Sequence, residues 1–542
     1  MTPSRRFNTW PVLVIAALVA GPVAAQAPST NLLVLDIDAE PILDSGNQII
    51  TAGALFNVDL GAATDAAPVV AASAPLGAPF KLVAGVALSP VDGHAYVADV
   101  GVDVGDLPKI LSIGADGSVD TIWSGPPLVS PNGLDVMPDG RLLIADMEAD
   151  PSGLGAAANC GVGHGAIFIL DPAACPSCAP QLLADGSNHP FSPIFPSVFG
   201  DPIDVAYDPG SGLVYVADLC GSPLNYSGSV YTVDPADGRV ALVSSMPEYV
   251  YLVGLALRPA AGGGTDVLVV DAGLDTDQSV VWKVDPSNPD PETNGTRLSF
   301  GTQYSQLQGI TVDATGKIFV VDWGEYDDAS QSFIEPPAVF SIDESIPTPT
   351  TNAVLVNDTT LFVTPIAACI VPVPTVTRIV PSAIAGPASI TIEGTSLSPG
   401  MTIDFGPDIA VGTVDYAPGV PVGTALQVLV TPLGGGIVPQ GCSAPTFDLT
   451  ITQPFGGTTT MTAALAASGG TGGITPLPPA STRGDATGDG FVDGMDLAIL
   501  GQHFGRSYCD GLVFENDADF NNDDIIDGMD LDILASYFGT TP

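Results

Sequence analysis

The chain has 542 residues, with 60 Asp and Glu against 13 Lys and Arg, a formal net charge of −47. So strong a negative charge argues against nucleic acid or an anionic membrane surface as a partner. A hydrophobic fraction of 46% excludes a wholly disordered acidic chain, and 62 Gly and 51 Pro point to several domains of short strands and turns.

In chain order, the first element is a processing signal. Arg5 and Arg6 form a basic start, Pro11 to Ala20 an apolar stretch, and Val23-Ala24-Ala25 a small-residue cleavage site. This predicts a signal peptide over residues 1–25, because the apolar run is too short to remain as a membrane span. The mature protein is then secreted, extracellular or at the cell surface. Seven cysteines in an exported chain predict disulfides with one thiol left over. Cys160, Cys175, Cys178 and Cys220 cluster, Cys369 and Cys442 flank another region, and Cys509 stands alone. Cys175-Pro-Ser-Cys178 lacks both a thioredoxin-like context and a second ligand pair, so a short structural disulfide is expected there.

Residues 31–372 repeat one unit. A strand ending in Asp occurs six times, at Asp36, Asp99, Asp146, Asp218, Asp271 and Asp322. A further strand follows each, and a preceding strand is visible in five: VAGVALSP, PNGLDVMP, PIDVAYDP, LVGLALRP and LQGITVDA. One four-stranded antiparallel sheet per repeat, arranged radially, is a β-propeller. The first copy lacks its innermost strand, and Thr360 to Ala367 is the expected donor, closing the ring and removing exposed edges. An Asp repeated in every unit is expected to accept hydrogen bonds from turns, since a catalytic site needs unlike residues converging. Long insertions at Asp150 to Gly165 and Gln181 to Asp201 are the expected recognition surface, with Cys160 and Cys220 placed to pin the loops after equivalent strands. His94, His164 and His189 are scattered among turns and make no ligand cluster.

The repeat resembles the NHL family and the related senescence-marker and gluconolactonase propellers. In lactonase-like members, acidic and Asn residues at strand starts hold a divalent metal in the central channel. Pro131-Asn132-Gly133-Leu134 matches one such motif, Asp204 lies beside the position of another ligand, and Gln308 occupies the equivalent point of the sixth unit. The resemblance thus implies Asn132, Asp204 and Gln308 as candidate site residues. The alternative is that they satisfy backbone groups at the channel mouth.

Residues 374–465 alternate short strands with Gly/Pro turns, which predicts an antiparallel β-sandwich. Ile379, Pro381, Ser382, Gly386, Ile390, Ile392, Gly394, Leu397, Pro399 and Gly400 resemble the opening of an IPT/TIG immunoglobulin-like domain, which implies a spacing or binding module. Residues 466–483 read as a Gly/Thr- and then Pro-rich linker.

The tail, 484–542, carries the sharpest motif. Asp485, Thr487, Asp489, Asp493 and Asp496 place side-chain oxygens at positions 1, 3, 5, 9 and 12 of a loop, with the Phe491 carbonyl at 7. Asp519, Asn521, Asp523, Ile525, Asp527 and Asp530 repeat the order 34 residues later. This is the ligand order of a calcium loop, and each loop runs into an amphipathic segment with a Gly stop. The pair resembles a type I dockerin, which implies two bound Ca²⁺ and docking onto a cohesin-like domain or other extracellular partner. The selectivity positions implied by that resemblance are Gly494-Met495 and Gly528-Met529, identical in the two copies.

The expected fold class is mainly β: a six-bladed β-propeller, an Ig-like β-sandwich and a small α-helical dockerin. The expected function is that of a secreted calcium-binding modular protein, its propeller recognising a carbohydrate or protein ligand and its dockerin attaching it to a partner. The alternative is an extracellular hydrolase, lactonase-like or polysaccharide-degrading, carried by the same tail. Each loop concentrates carboxylates whose repulsion opposes folding without the ion. We predict that a calcium chelator unfolds residues 484–539 and leaves the propeller intact. Circular dichroism of the tail that ignores chelator would contradict this.

Overall fold

A computed structural model describes residues 31–43, 49–59, 69–73, 80–101, 106–151, 165–190, 198–219, 228–260, 262–273, 279–300, 304–327, 332–342, 344, 353–356, 365–384, 387–420, 423–432, 446–467, 484–487, 491–504, 518, 520 and 528–539. The expected signal peptide lies outside them, as do residues 468–483 of the expected linker, Cys160, Cys220, Cys442 and Cys509. The chain divides into two compact units: residues 1–374 with 396–401 and 452–458, and the remainder from 375 onward.

In the first unit the continuous apolar runs of the repeat form central strands, because both faces of each are covered. The strands that carry the repeated Asp are Asn31–Leu43, which runs on past Asp36, and Ala95–Asp99, Leu142–Asp146, Leu213–Asp218, Thr265–Asp271 and Ile318–Asp322, which end on it. Ala95–Asp99, Leu142–Asp146 and Ile318–Asp322 are buried at every residue. Each of the six lies second in its own four-stranded antiparallel sheet. The innermost strands are Val83–Leu88, Pro131–Val136, Pro202–Asp208, Leu252–Pro259, Leu307–Val312 and Pro365–Val371. Each packs beside the next in chain order, and Pro365–Val371 sits between Leu307–Val312 and Val83–Leu88, so the ring closes. We call the sheets blades, numbered from that of Asn31–Leu43.

The closing strand corrects the sequence expectation. It is Pro365–Val371, not Thr360 to Ala367, and it pairs with Asn31–Leu43 through Leu33 opposite Cys369 and Leu35 opposite Ala367. Residues 360–364 lie outside the described residues. The reason is register: PIAACIVP reads position for position with PIDVAYDP of blade 4, including the closing proline. Cys369, a candidate disulfide cysteine in the sequence, is instead a free thiol. The expected disulfide between Cys175 and Cys178 is present.

Close approach of the inner strands sets their composition. A Cβ on Gly85 would collide with the carbonyl oxygen of Asn132 in the next blade, and one on Gly133 with the backbone of Asp204. The blades are then tied at one end by the repeated Asp. The N–H groups of Lys81 and Leu82 donate to Asp99, Val129 and Ser130 to Asp146, Gly200 and Asp201 to Asp218, Val250 and Tyr251 to Asp271, and Ser305 and Gln306 to Asp322, at 2.8–3.3 Å. Each donating pair immediately precedes or enters an innermost strand.

The second unit contains two four-stranded sheets. One runs Thr375–Val380, Ala388–Thr395, Ala425–Pro432, Ile409–Tyr416; the other Ala383–Ile384, Thr458–Ala467, Thr446–Thr452, Thr402–Asp404. Alternation puts Ile390 and Ile392 in the core with Leu426, Val428 and Val430. Two helices follow, α1 (Gly494–His503) and α2 (Gly528–Tyr537).

Asp146 is fully buried and also accepts from the N–H groups of Glu148 and Ala149. Replacing it by Ala orphans these donors, and we predict a loss of about 3–5 kcal/mol of propeller stability. Asp116→Ala, in an exposed turn where the acid accepts from the Ser118 side chain and N–H, should cost under about 1 kcal/mol. Denaturant melts of the two variants check the contrast.

Candidate functional site

Inner-strand starts pair with the Asp ends of second strands, as in Pro131 opposite Asp146 and Leu307 opposite Asp322. The chain leaving each Asp, where the Asp150 to Gly165 insertion occurs, therefore lies at the same end as the inner-strand starts, whereas Gln181 to Asp201 opens with the outer strand Gln181–Ala184 of blade 3 rather than as an insertion. The six inner strands enclose a cavity of about 320 Å³ whose lining includes Asn132, Asp135, Asp204, Gln308, Thr311 and Cys369.

The sequence candidates occupy this channel with different roles. Asn132 turns its Nδ2 back to the Ser130 carbonyl at 2.9 Å, a local bond on its own strand start. Asp204 accepts from the Val205 N–H at 2.9 Å and, across the blade boundary, from the Leu255 N–H at 2.7 Å. Gln308 is 8% exposed, and among the described residues its side-chain amide has no hydrogen-bond partner. Among the described residues no group of three His, Cys, Asp or Glu could hold a metal, so Asn132 and Asp204 are not joined there by a further acid into a ligand set.

Sequence reasoning missed Asp135. It repeats the geometry of Asp204 one blade earlier, accepting from the Val136 N–H at 2.8 Å and from the Tyr207 N–H of blade 4 at 2.7 Å. The two acids thus clasp two successive blade boundaries. Each touches the channel interior, yet the strands around it shut it away from bulk water. Burial therefore pushes Asp135 up to about 6 against the pull of its two N–H donors. Burial likewise pushes Asp204 up to about 7, its two N–H donors pulling the other way and the Asp135 charge adding to the rise. Burial, with the same Asp135 charge, pushes the Cys369 thiol up to about 12 and keeps it protonated. The available signal was departure from the repeat, since the other inner strands hold Ala, Thr or Cys at the Asp135 position.

In the tail, the described part of the first loop is built around Asp496. It is fully buried and accepts from the Thr487 N–H at 2.9 Å and the Asp493 N–H at 2.8 Å, while Asp493 caps α1 through the Met495 N–H at 2.7 Å. Burial works against its ionisation, but these N–H groups outweigh it and hold Asp496 below the usual carboxylate range. Thr487 Oγ1 donates to Asp485 at 3.1 Å, so positions 1, 3 and 12 meet. Asp530 is the equivalent buried acid of the second loop, accepting from the Phe520 N–H at 2.7 Å. Asp489, Asp519, Asn521, Asp523, Ile525 and Asp527 lie outside the described residues. The donors present are hard oxygens, the chemistry calcium requires. Around them the buried core is Ala486, Val492, Leu500, Ala518 and Leu534.

The outer faces repeat as well. Met495 and Met529 are 59% and 58% exposed, and Leu497 with Leu531 and Phe504 with Phe538 are exposed in the same pairing. Among the described residues no helix is long and apolar enough to cross a membrane.

Residues 483–539 match the model of the dockerin type I domain. Domains of this type generally bind calcium and dock onto cohesin domains. No curated protein is matched by the sequence. Among solved structures, the periplasmic gluconolactonase of Pseudomonas aeruginosa is similar at 15% identity, over 63% of this chain and 99% of that one, with a TM-score of 0.37. A gluconolactonase from Xanthomonas campestris is similar at 14% identity, over 65% and 86%, with a TM-score of 0.34. An aldose sugar dehydrogenase from Streptomyces coelicolor is similar at 14%, over 57% and 98%, with a TM-score of 0.36.

The raised acids carry a sign. Between the ordinary carboxylate value and about 7, folded Asp204 holds a proton that the unfolded chain has released. Its contribution is full below that window and is lost as pH rises through it. We predict that the melting temperature of Asp204→Asn, relative to wild type, rises by a few degrees from pH 5 to pH 8 as wild type becomes ionised. A constant difference across that range, by calorimetry of the propeller transition, would contradict the assignment.

Proposed function

We propose that this is a secreted, calcium-binding modular protein whose C-terminal dockerin attaches a ligand-binding β-propeller to a cohesin-type partner. The carrying observation is the duplicated tail: two loops with the calcium ligand order, two helices of which the first is capped by Asp493, and a family match over residues 483–539. One ion sits with Asp485, Thr487, Asp489, Asp493, Asp496 and the Phe491 carbonyl. The other sits with Asp519, Asn521, Asp523, Asp527, Asp530 and the Ile525 carbonyl. The ion supplies the charge that lets these acids pack together. A core as small as that of the tail needs such a staple.

The propeller, residues 31–372, carries the recognition surface at the loop-bearing end, and the IPT/TIG-like sandwich, 374–465, spaces it from the tail. Partner contact runs through Met495 and Met529, whose shared exposure supports two equivalent docking faces. Flexible, polarisable Met suits an apolar patch on the partner better than a hydroxyl-reading one.

We predict calcium-dependent capture of the full chain by a panel of immobilised cohesin domains, abolished by chelator. Met495→Glu or Met529→Glu alone should weaken binding about twofold, because the other face remains. Together they should weaken it about a hundredfold. Binding insensitive to calcium, or unaffected by the double variant, would sink this reading.

A further inference from the structure

The proposed function leaves the propeller ligand unnamed, and the channel narrows it. The inner strands copy one pattern, so residues that break it stand out. At the third position the strands carry Gly85, Gly133, Gly254, Gly309 and Ala367, and only blade 4 has an acid, Asp204. At the fifth they carry Ala87, Ala206, Ala256, Thr311 and Cys369, and only blade 3 has an acid, Asp135. Both acids line the cavity, and no Lys, Arg or His is among its lining residues. A second, independent feature is the Gln308 amide, which lines the same cavity and has no protein partner. The residue is more than nine-tenths buried overall, and its amide keeps its hydrogen-bonding capacity for a polar group in the channel.

We propose that the channel binds a small organic cation, through a primary ammonium or guanidinium group whose N–H donors go to Asp135, Asp204 and Gln308. The inference deepens the ligand-binding half of the proposed function, rests on that reading, and leaves the dockerin half untouched. Charge sets the sign: two acids with no base among the lining residues, in a chain of net charge −47, favour a cation over an anion. Coordination sets the kind. Calcium takes about six to eight oxygens and magnesium demands an octahedron. Here all four oxygens of the two acids already accept a backbone N–H. An N–H donor needs only one remaining lone pair on such an oxygen, and the bond it forms is charge-assisted. Val205, Leu255, Ile310 and Ile366 supply apolar wall for a carbon skeleton. The cavity of about 320 Å³ lies within the size range of small-molecule sites.

The test uses the full chain in saturating calcium, so that the tail stays folded. Propeller melting is followed while n-butylammonium chloride, potassium chloride at equal ionic strength, n-butanol, glucose or magnesium chloride is added. The expected result is a saturable rise with n-butylammonium alone, with an apparent affinity about tenfold weaker in Asp204→Asn and in Gln308→Leu. An equal rise with potassium chloride (screening only), with n-butanol (apolar filling only) or with magnesium that depends on Asp204 (a metal site) overturns it. A rise with glucose and none with n-butylammonium overturns the cation while keeping a ligand-binding propeller. No rise with any probe overturns the inference, and calcium-dependent capture on cohesin then still reports the attachment by itself. If Asp204→Asn does not fold, Gln308→Leu decides, because that amide has no protein partner to lose.

Discussion

The propeller depends on one constraint: the innermost strand of each blade has no partner on its channel side, so its N-terminal N–H groups need an acceptor. In blades 2 to 6 the Asp at the end of the second strand supplies it, taking two consecutive N–H groups that precede or enter the inner strand. A carboxylate is expensive to bury, and burial does raise Asp99, Asp146 and Asp322 above the ordinary range despite these donors. The arrangement persists because the alternative is two orphaned donors in every blade. It also fixes where the inner strand starts, so the chain after each Asp can vary in length without disturbing the barrel of strands beneath it.

That constraint explains why so much of the fold was legible. A residue type that recurs in every unit at the same strand end must answer a local backbone need, and the second and third strands read directly as continuous apolar runs because neighbouring blades cover both their faces. The closing strand was misplaced by about five residues for the opposite reason. Inner strands are set by closeness of backbone, and PIAACIVP shows this in its small residues and in the closing proline it shares with PIDVAYDP. Register with the other inner strands is the better measure for a strand whose neighbours come within reach of a Cβ.

The candidate site was legible in part. Asn132, Asp204 and Gln308 do line one cavity, but similarity to a family motif found them without their roles. Asn132 serves its own strand start, and Asp204 serves a neighbouring blade. Asp135 was passed over because it sits inside a motif, PNGLDV, read for its Asn. Comparison down the column of inner strands, rather than along the motif, isolates it at once. Cys369, a candidate disulfide cysteine grouped in sequence with Cys442, lines the channel from the closing strand as a free thiol. In the tail, spacing alone revealed the ion loops, since ligand order is a one-dimensional property. The paired exposure of Leu497 with Leu531 and Phe504 with Phe538 needed the helix faces to be known.

The same side chain therefore does three different things here, and its surroundings decide which. An Asp facing the N–H groups at an inner-strand start is a structural acceptor that the backbone fully occupies. An Asp in the C-terminal loops has several like neighbours, and backbone N–H groups hold Asp496 ionised among them, the setting in which we propose a shared calcium ion. Asp135 and Asp204 fall between these cases: each has two N–H donors, too few to hold it in the ordinary range once burial acts, and too few acidic neighbours to surround a metal. What remains unmet is positive charge with hydrogen-bond donors of its own.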